Sequence, residues 1–196
     1  MADIGNLNVS PTDAVDIATA YPAKAGRRFP NKGWYTLRTT DSFTSESFVP
    51  NKAGTALTFA INPVVVGPTN EGYELKFNSG KISAKTYQRT GRDGKTNTVS
   101  QLSDFLKAVG YLGTVPGDAQ TQADLVEQHA GKPFDALVDW RAWDPSTQQE
   151  ISGMENFPSD GNGGHLPYVL SETQTDDEGN PKRIWANLEI VRFSTR

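Results

Sequence analysis

Gly33-Trp34-Tyr35-Thr36-Leu37-Arg38-Thr39 is the stretch at which the chain changes character. Trp34, Thr36 and Arg38 alternate with Tyr35, Leu37 and Thr39, a period of two in residue types that favour strands. This is the first strand. Upstream, residues 1–32 are rich in Asn, Pro, Ala and Gly, with only a short helical stretch between Ala14 and Tyr21. They read as an N-terminal arm, and residues 33–196 as one domain.

Downstream, Ala56 to Val66 alternates again, with Leu57, Phe59 and Ile61 on one face, and ends at Gly67-Pro68. Tyr73, Leu75 and Phe77 open a third strand, which passes a turn or bulge at Asn78-Ser79-Gly80 and continues from Lys81 to Arg89. A helical insert over 99–131 follows. Ser100 is placed to cap a helix carrying Leu102, Phe105, Leu106 and Val109 on one side, and Thr121 with Asp124 is close to a capping box for a second. Phe134, Ala136, Val138 and Trp140 return to strand spacing. Residues 144–180 hold eight acidic residues and no Lys or Arg, and read as an acidic loop or mobile hairpin before a last strand from Arg183 to Phe193. The expected class is mainly β with a helical insertion (α+β). Three strands, two helices and two strands is the order of a five-stranded OB-fold-like barrel; a β-sandwich or another small barrel is the alternative.

Composition narrows the function. With 196 residues, 36% hydrophobic and no cysteine, stability comes from packing rather than from disulfides or thiolate metal sites. There is no basic region followed by an apolar run at Met1–Ser10 and no membrane-length apolar segment, so a cytoplasmic location is expected, in a host cell or in one infected by a virus. Only His129 and His165 are present, each expected at the surface, and no G-x-S-x-G surrounds a serine. No catalytic residue, metal ligand or cofactor is expected. Gly94-Lys95-Thr96 lacks the earlier glycine of a phosphate loop, since position 89 is Arg89. Asp176, Glu178 and Asn180 read as a hairpin turn rather than a calcium loop.

The net charge of −4 is unevenly spread: residues 1–100 carry 12 Lys and Arg against 8 Asp and Glu, whereas residues 101–196 carry 7 against 15. The basic half is densest from Lys76 to Lys95, which contains Lys76, Lys81, Lys85, Arg89, Arg92 and Lys95 against Asp93 alone. Strand spacing puts Lys81, Ser83, Lys85, Tyr87 and Arg89 on one face. Cations for phosphates beside a ring for an unstacked base are what single-stranded nucleic acid requires. Trp34 and Arg38 share a face of the first strand and extend the platform if the strands are neighbours. Gly91 to Lys95 reads as a flexible basic loop able to close over a strand. Two placements stay open for Trp34 and Tyr87, outward as stacking rings or inward as core. Trp140 is expected in the core, and Trp143 is either a stacking residue or a lid.

Gly33-Trp34-Tyr35-Thr36-Leu37, Gly72-Tyr73-Glu74-Leu75-Lys76-Phe77, Ser100-Gln101-Leu102-Ser103-Asp104-Phe105-Leu106, Gly131-Lys132-Pro133-Phe134 and Ala186-Asn187-Leu188 together resemble bacteriophage single-stranded-DNA-binding proteins of the OB-fold type, over residues 33–193. The resemblance implies sequence-independent coating of single-stranded DNA, or RNA, during phage replication or recombination. It also implies partners among replication or recombination proteins and no catalysis; whether the chain forms a homo-oligomer through its N-terminal arm stays open, and no membrane partner is expected. Its matching positions are Trp34, Arg38, Lys76, Lys81, Lys85, Tyr87 and Arg89. The chain departs from bacterial single-strand binders by ending Arg192-Phe193-Ser194-Thr195-Arg196, with no acidic tail. The competing expectation is a phage structural or carbohydrate-binding β module, in which Trp34, Trp143 and Tyr168 stack on sugars.

Overall fold

The computed structural model describes residues 29–39, 43, 47–75 and 80–194. Among them the chain forms twelve strands and two α-helices, a mainly β fold with a helical insertion. The first strand, β1 (Gly33–Arg38), lies at the centre of the largest sheet. It pairs antiparallel with β4 (Val64–Val65) on one side and along its whole length with β8 (Pro133–Asp144) on the other. β8 in turn pairs with β12 (Asn187–Phe193) and, at its far end, with β9 (Gln149–Ser152). The sheet is curled like half a barrel.

Alternation decides what this sheet buries. Leu37 on β1, Phe134, Ala136, Val138, Trp140 and Ala142 on β8, and Leu188, Ile190 and Phe193 on β12 face the core. The helix α1 (Gln101–Ala108) closes over them with Leu102, Phe105 and Leu106. Ser100 caps it as expected: its hydroxyl accepts from the Ser103 N–H, and the Ser103 hydroxyl accepts from the Ser100 N–H. Phe105, Phe134 and Phe193 meet with ring centroids 5.3, 5.9 and 5.7 Å apart, tying α1, β8 and β12 together. The helix α2 (Ala119–Gln128) is capped three residues before the expected position. Asp118, not Thr121, accepts the capping hydrogen bond, from the Thr121 N–H.

Three long expected strands are each broken. Ala56–Val66 divides into β3 (Leu57–Ala60) and β4 around Asn62, at φ +34°, and Pro63, which has no N–H to donate. β3 joins a separate sheet with β2 (Phe48–Pro50), a strand the sequence did not announce, and with β5 (Lys81–Ser83). The stretch after Lys81 leaves that sheet at Ala84, whose N–H makes the last contact to Leu57, and becomes β6 (Tyr87–Thr90), paired only with β7 (Thr96–Val99). The helices therefore follow seven short strands rather than three long ones. The final strand breaks at Ala186, whose N–H donates to the Pro167 carbonyl, giving β11 (Pro181–Trp185) and β12.

The acidic segment 144–180 combines short strands with irregular chain over 157–167, and it enters a hairpin, one of the two forms expected of it. It contains β9, a 3-10 turn at Met154–Asn156, and β10 (Tyr168–Thr175), which pairs with β11 as a hairpin. One of its carboxylates, Glu150, pairs with Arg141 on the outer sheet face, which Glu189 of β12 also holds. The last residues assigned to the N-terminal arm also pack on the body. Phe29 meets Trp140 edge-on at 5.3 Å, Trp140 Nε1–H donates to the Pro30 carbonyl at 2.6 Å, and Lys32 pairs with Asp139 at 2.8 Å. Burial pushes the Asp139 carboxyl up, but Lys32 and the N–H groups of Met154 and Trp140 outweigh it and hold it below its ordinary value. Residues 1–28 lie outside the described residues.

Candidate nucleic-acid interface

The sheets leave one seam. α1 lies against β5 on one side and β12 on the other, and Gln101 bridges it by accepting the Ser83 N–H at 2.9 Å. Above this seam the β6–β7 hairpin stands away from the body with every residue of β6 exposed, Tyr87 by 46%. Hairpin, helix and β12 enclose an open groove of about 630 Å³, lined by Lys85, Tyr87, Arg89 and Arg192 among others. Three cations and one ring face the same space.

Arg192 was not anticipated, because strict alternation along the last strand puts it on the same inner face as Leu188 and Ile190. A bulge changes the parity. Ile190 pairs with Val138 but Arg192 pairs with Leu137, so Val191 is an extra residue, both it and Arg192 face out, and Phe193 returns to the core. The same row continues across the sheet, since Leu137 is also the partner of Trp34, whose ring is 54% exposed. Two strand spacings of about 4.8 Å put Trp34 roughly 10 Å from Arg192. Trp34 therefore faces out, as does Tyr87.

The other expected positions distribute as follows. Lys81 is exposed on β5, two residues from Ser83, which lines the groove. Arg38 is exposed at the far end of β1, beside Pro133 and Val64, and does not reach the groove lining. Arg92 and Lys95 sit in the turn of the β6–β7 hairpin. That turn is closed rather than an open flap: the Gly91 N–H donates to Lys95 at 2.8 Å, and Gly94 adopts φ +75°. The expected single face from Lys81 to Arg89 is interrupted between β5 and β6. Lys76 lies outside the described residues.

Arg89 is engaged on both arms by Asp104 of α1, at 2.8 and 2.9 Å. This bidentate pair, foremost among several contacts, raises the guanidinium pKa further and anchors the hairpin to the helix. Lys85 and Arg192 have no carboxylate within ion-pair distance among the described residues. They are the cations with charge to offer.

Of the two histidines expected at the surface, His129 is not there. His129 is buried, with Nδ1 2.8 Å from the Leu125 carbonyl and its ring edge-on to Tyr111, and His165 is half-buried beside the Phe157 carbonyl. Trp140 is core, 2% exposed, whereas Trp143 is 56% exposed on the outer face of β8. Among the described residues no three His, Asp or Glu side chains gather as metal ligands, and no helix is long and apolar enough to cross a membrane. Comparison with family models, curated proteins and solved structures gave no match.

Proposed function

We propose that this chain binds single-stranded DNA without sequence preference, in the groove between the β6–β7 hairpin, α1 and β12. The observation that carries the reading is the convergence there of Lys85, Arg192 and the exposed Tyr87 ring, with Trp34 two strands away in the same row as Arg192. Lys85 and Arg192 neutralise phosphates, Tyr87 and Trp34 take unstacked bases, and Arg89 holds the hairpin in place through Asp104. Nothing in this set reads a base edge, so affinity comes from backbone charge and stacking. We read the curled sheet as an OB-type barrel: the strand after the helices returns beside β1, in Greek-key fashion, and α1 fills the seam. On that reading the protein coats DNA strands in phage replication or recombination, with no catalytic step.

The test is a titration of fluorescent oligo-dT and of a duplex of equal length, at low and moderate salt, following anisotropy and tryptophan quenching. Tight, salt-sensitive binding to the single strand with quenching supports the proposal. No binding at low salt refutes it and promotes the structural or carbohydrate-binding β module.

A further inference from the structure

The β10–β11 hairpin carries a second cluster of rings and a cation, away from the groove. Tyr168 and Trp185 are register partners with ring centroids 5.0 Å apart, and the Arg183 guanidinium sits 4.8 Å from the centre of the Tyr168 ring. The opposite face of the hairpin, Val169 and Ile184, packs on the core, so this face points to solvent. Trp185 is 55% exposed and Leu170 54%. β11 lies against β8, whose Trp143 is 56% exposed on the outer face. Rings left in water together at one end of a sheet mark a binding surface rather than scattered apolar residues.

The chemistry of the surroundings selects the ligand. A sugar ring stacked on tryptophan needs acceptors around it for its hydroxyls, whereas a nucleotide needs a cation for its phosphate. Here the neighbour of the rings is a cation, Arg183, and Glu150 across from Trp143 is engaged with Arg141. Glu172 is four residues along β10 from Tyr168, about 13 Å, and the carboxylates of Asp176, Asp177 and Glu178 lie in the turn still farther off, beyond the screening length of about 8 Å at physiological salt.

We propose that Trp185, Tyr168 and Arg183 form a second stacking subsite for the same single strand. The inference rests on the reading of the groove as a strand-binding site. From Leu137, level with Trp34 and Arg192, to Trp143 is six residues of β8, about 20 Å. At helical spacing of about 3.4 Å, roughly six nucleotides cross it, and a shorter strand occupies one site only. The outer face between the two sites carries Asp139, Glu150, Glu155 and Glu189 against Lys32 and Arg141, so the strand finds its cations at the two ends, at Arg192 and Arg183, and not along the stretch between them.

The test compares a tetranucleotide and a dodecanucleotide of oligo-dT on the full chain and on W185A, W185F and R183E. The wild type is expected to prefer the dodecanucleotide. W185A is expected to cut that preference at least fivefold with an unchanged salt slope, W185F to restore most of it, and R183E to cut it and flatten the slope. An unchanged preference in W185A and R183E, with the wild type still binding the dodecanucleotide, overturns the subsite and leaves the groove reading intact. Failure of the wild type to bind either strand overturns both. Binding of an oligosaccharide that W185A abolishes, with oligo-dT binding untouched, also overturns the subsite.

Discussion

The β6–β7 and β10–β11 hairpins have turns built alike and tips charged oppositely. In β6–β7 the Gly91 N–H donates to Lys95 at 2.8 Å and Gly94 to Gly91 at 3.1 Å; in β10–β11 the Asp176 N–H donates to Asn180 at 2.8 Å and Gly179 to Asp176 at 3.0 Å. Each turn has glycine fourth, at φ +75° and +83°. One tip carries Arg92 and Lys95, the other Asp177 and Glu178. The difference teaches that charge was added to a common turn without altering its geometry. What the hairpins share near their roots is a tyrosine beside an arginine, Tyr87 with Arg89 and Tyr168 with Arg183, and that shared feature sits nearer the binding face than the charged tips do.

The largest effect tests the body that carries both. Phe105→Ala removes the ring that joins α1 to β8 and β12, and should cost about 3–5 kcal/mol in a denaturant titration. A loss below about 1 kcal/mol would mean that the seam under the groove is not held by that cluster. Next comes charge at the two roots and tips. Lys85→Glu with Arg192→Glu should weaken oligo-dT binding at least tenfold and flatten the logarithmic salt slope by about 1.4, since each single-strand phosphate contact contributes about 0.7. Reversing Asp177 and Glu178 to lysine should leave affinity within a fewfold; a comparable loss there would move the site to the acidic hairpin.

Two smaller effects sharpen the comparison. Gly94→Ala and Gly179→Ala force a side chain into the left-handed region and should each cost about 1–2 kcal/mol, by equal amounts, as read by thermal unfolding. Both glycines face open space, so unequal costs would show that one turn is not strained by backbone alone. Asp104→Asn releases a charge from Arg89, and a fewfold gain in oligo-dT affinity is expected if the guanidinium then turns to phosphate. A loss of affinity would mean that the Asp104 anchor positions Tyr87 instead.

The sequence was most legible where one partner serves a whole element. β1 alternates without a break because β8 accompanies it along its whole length, and α1 shows both its cap and its apolar stripe. The breaks at Ala84 and Ala186 were illegible because a strand changes partner there, a tertiary event that leaves no period in the chain, whereas Pro63 was a readable signal against one continuous strand. The acidic stretch hid β10 since Tyr168, Val169 and Leu170 are followed by polar residues to the end of the strand. Of the candidate site, Lys85, Tyr87 and Arg89 were readable as a basic stripe with a ring. Arg192 was not, because the bulge at Val191 reverses its face, and a bulge is set by the β8 partner rather than by the residues of β12.

The most direct measurement is photochemical cross-linking of an iodo-deoxyuridine-substituted oligo-dT to the intact protein, with the modified residues read by mass spectrometry. The account predicts cross-links at Tyr87 and Trp34, lost when unlabelled single strand competes and retained against duplex. Cross-links confined to residues off the outer sheet face, or equal competition by duplex, would contradict it.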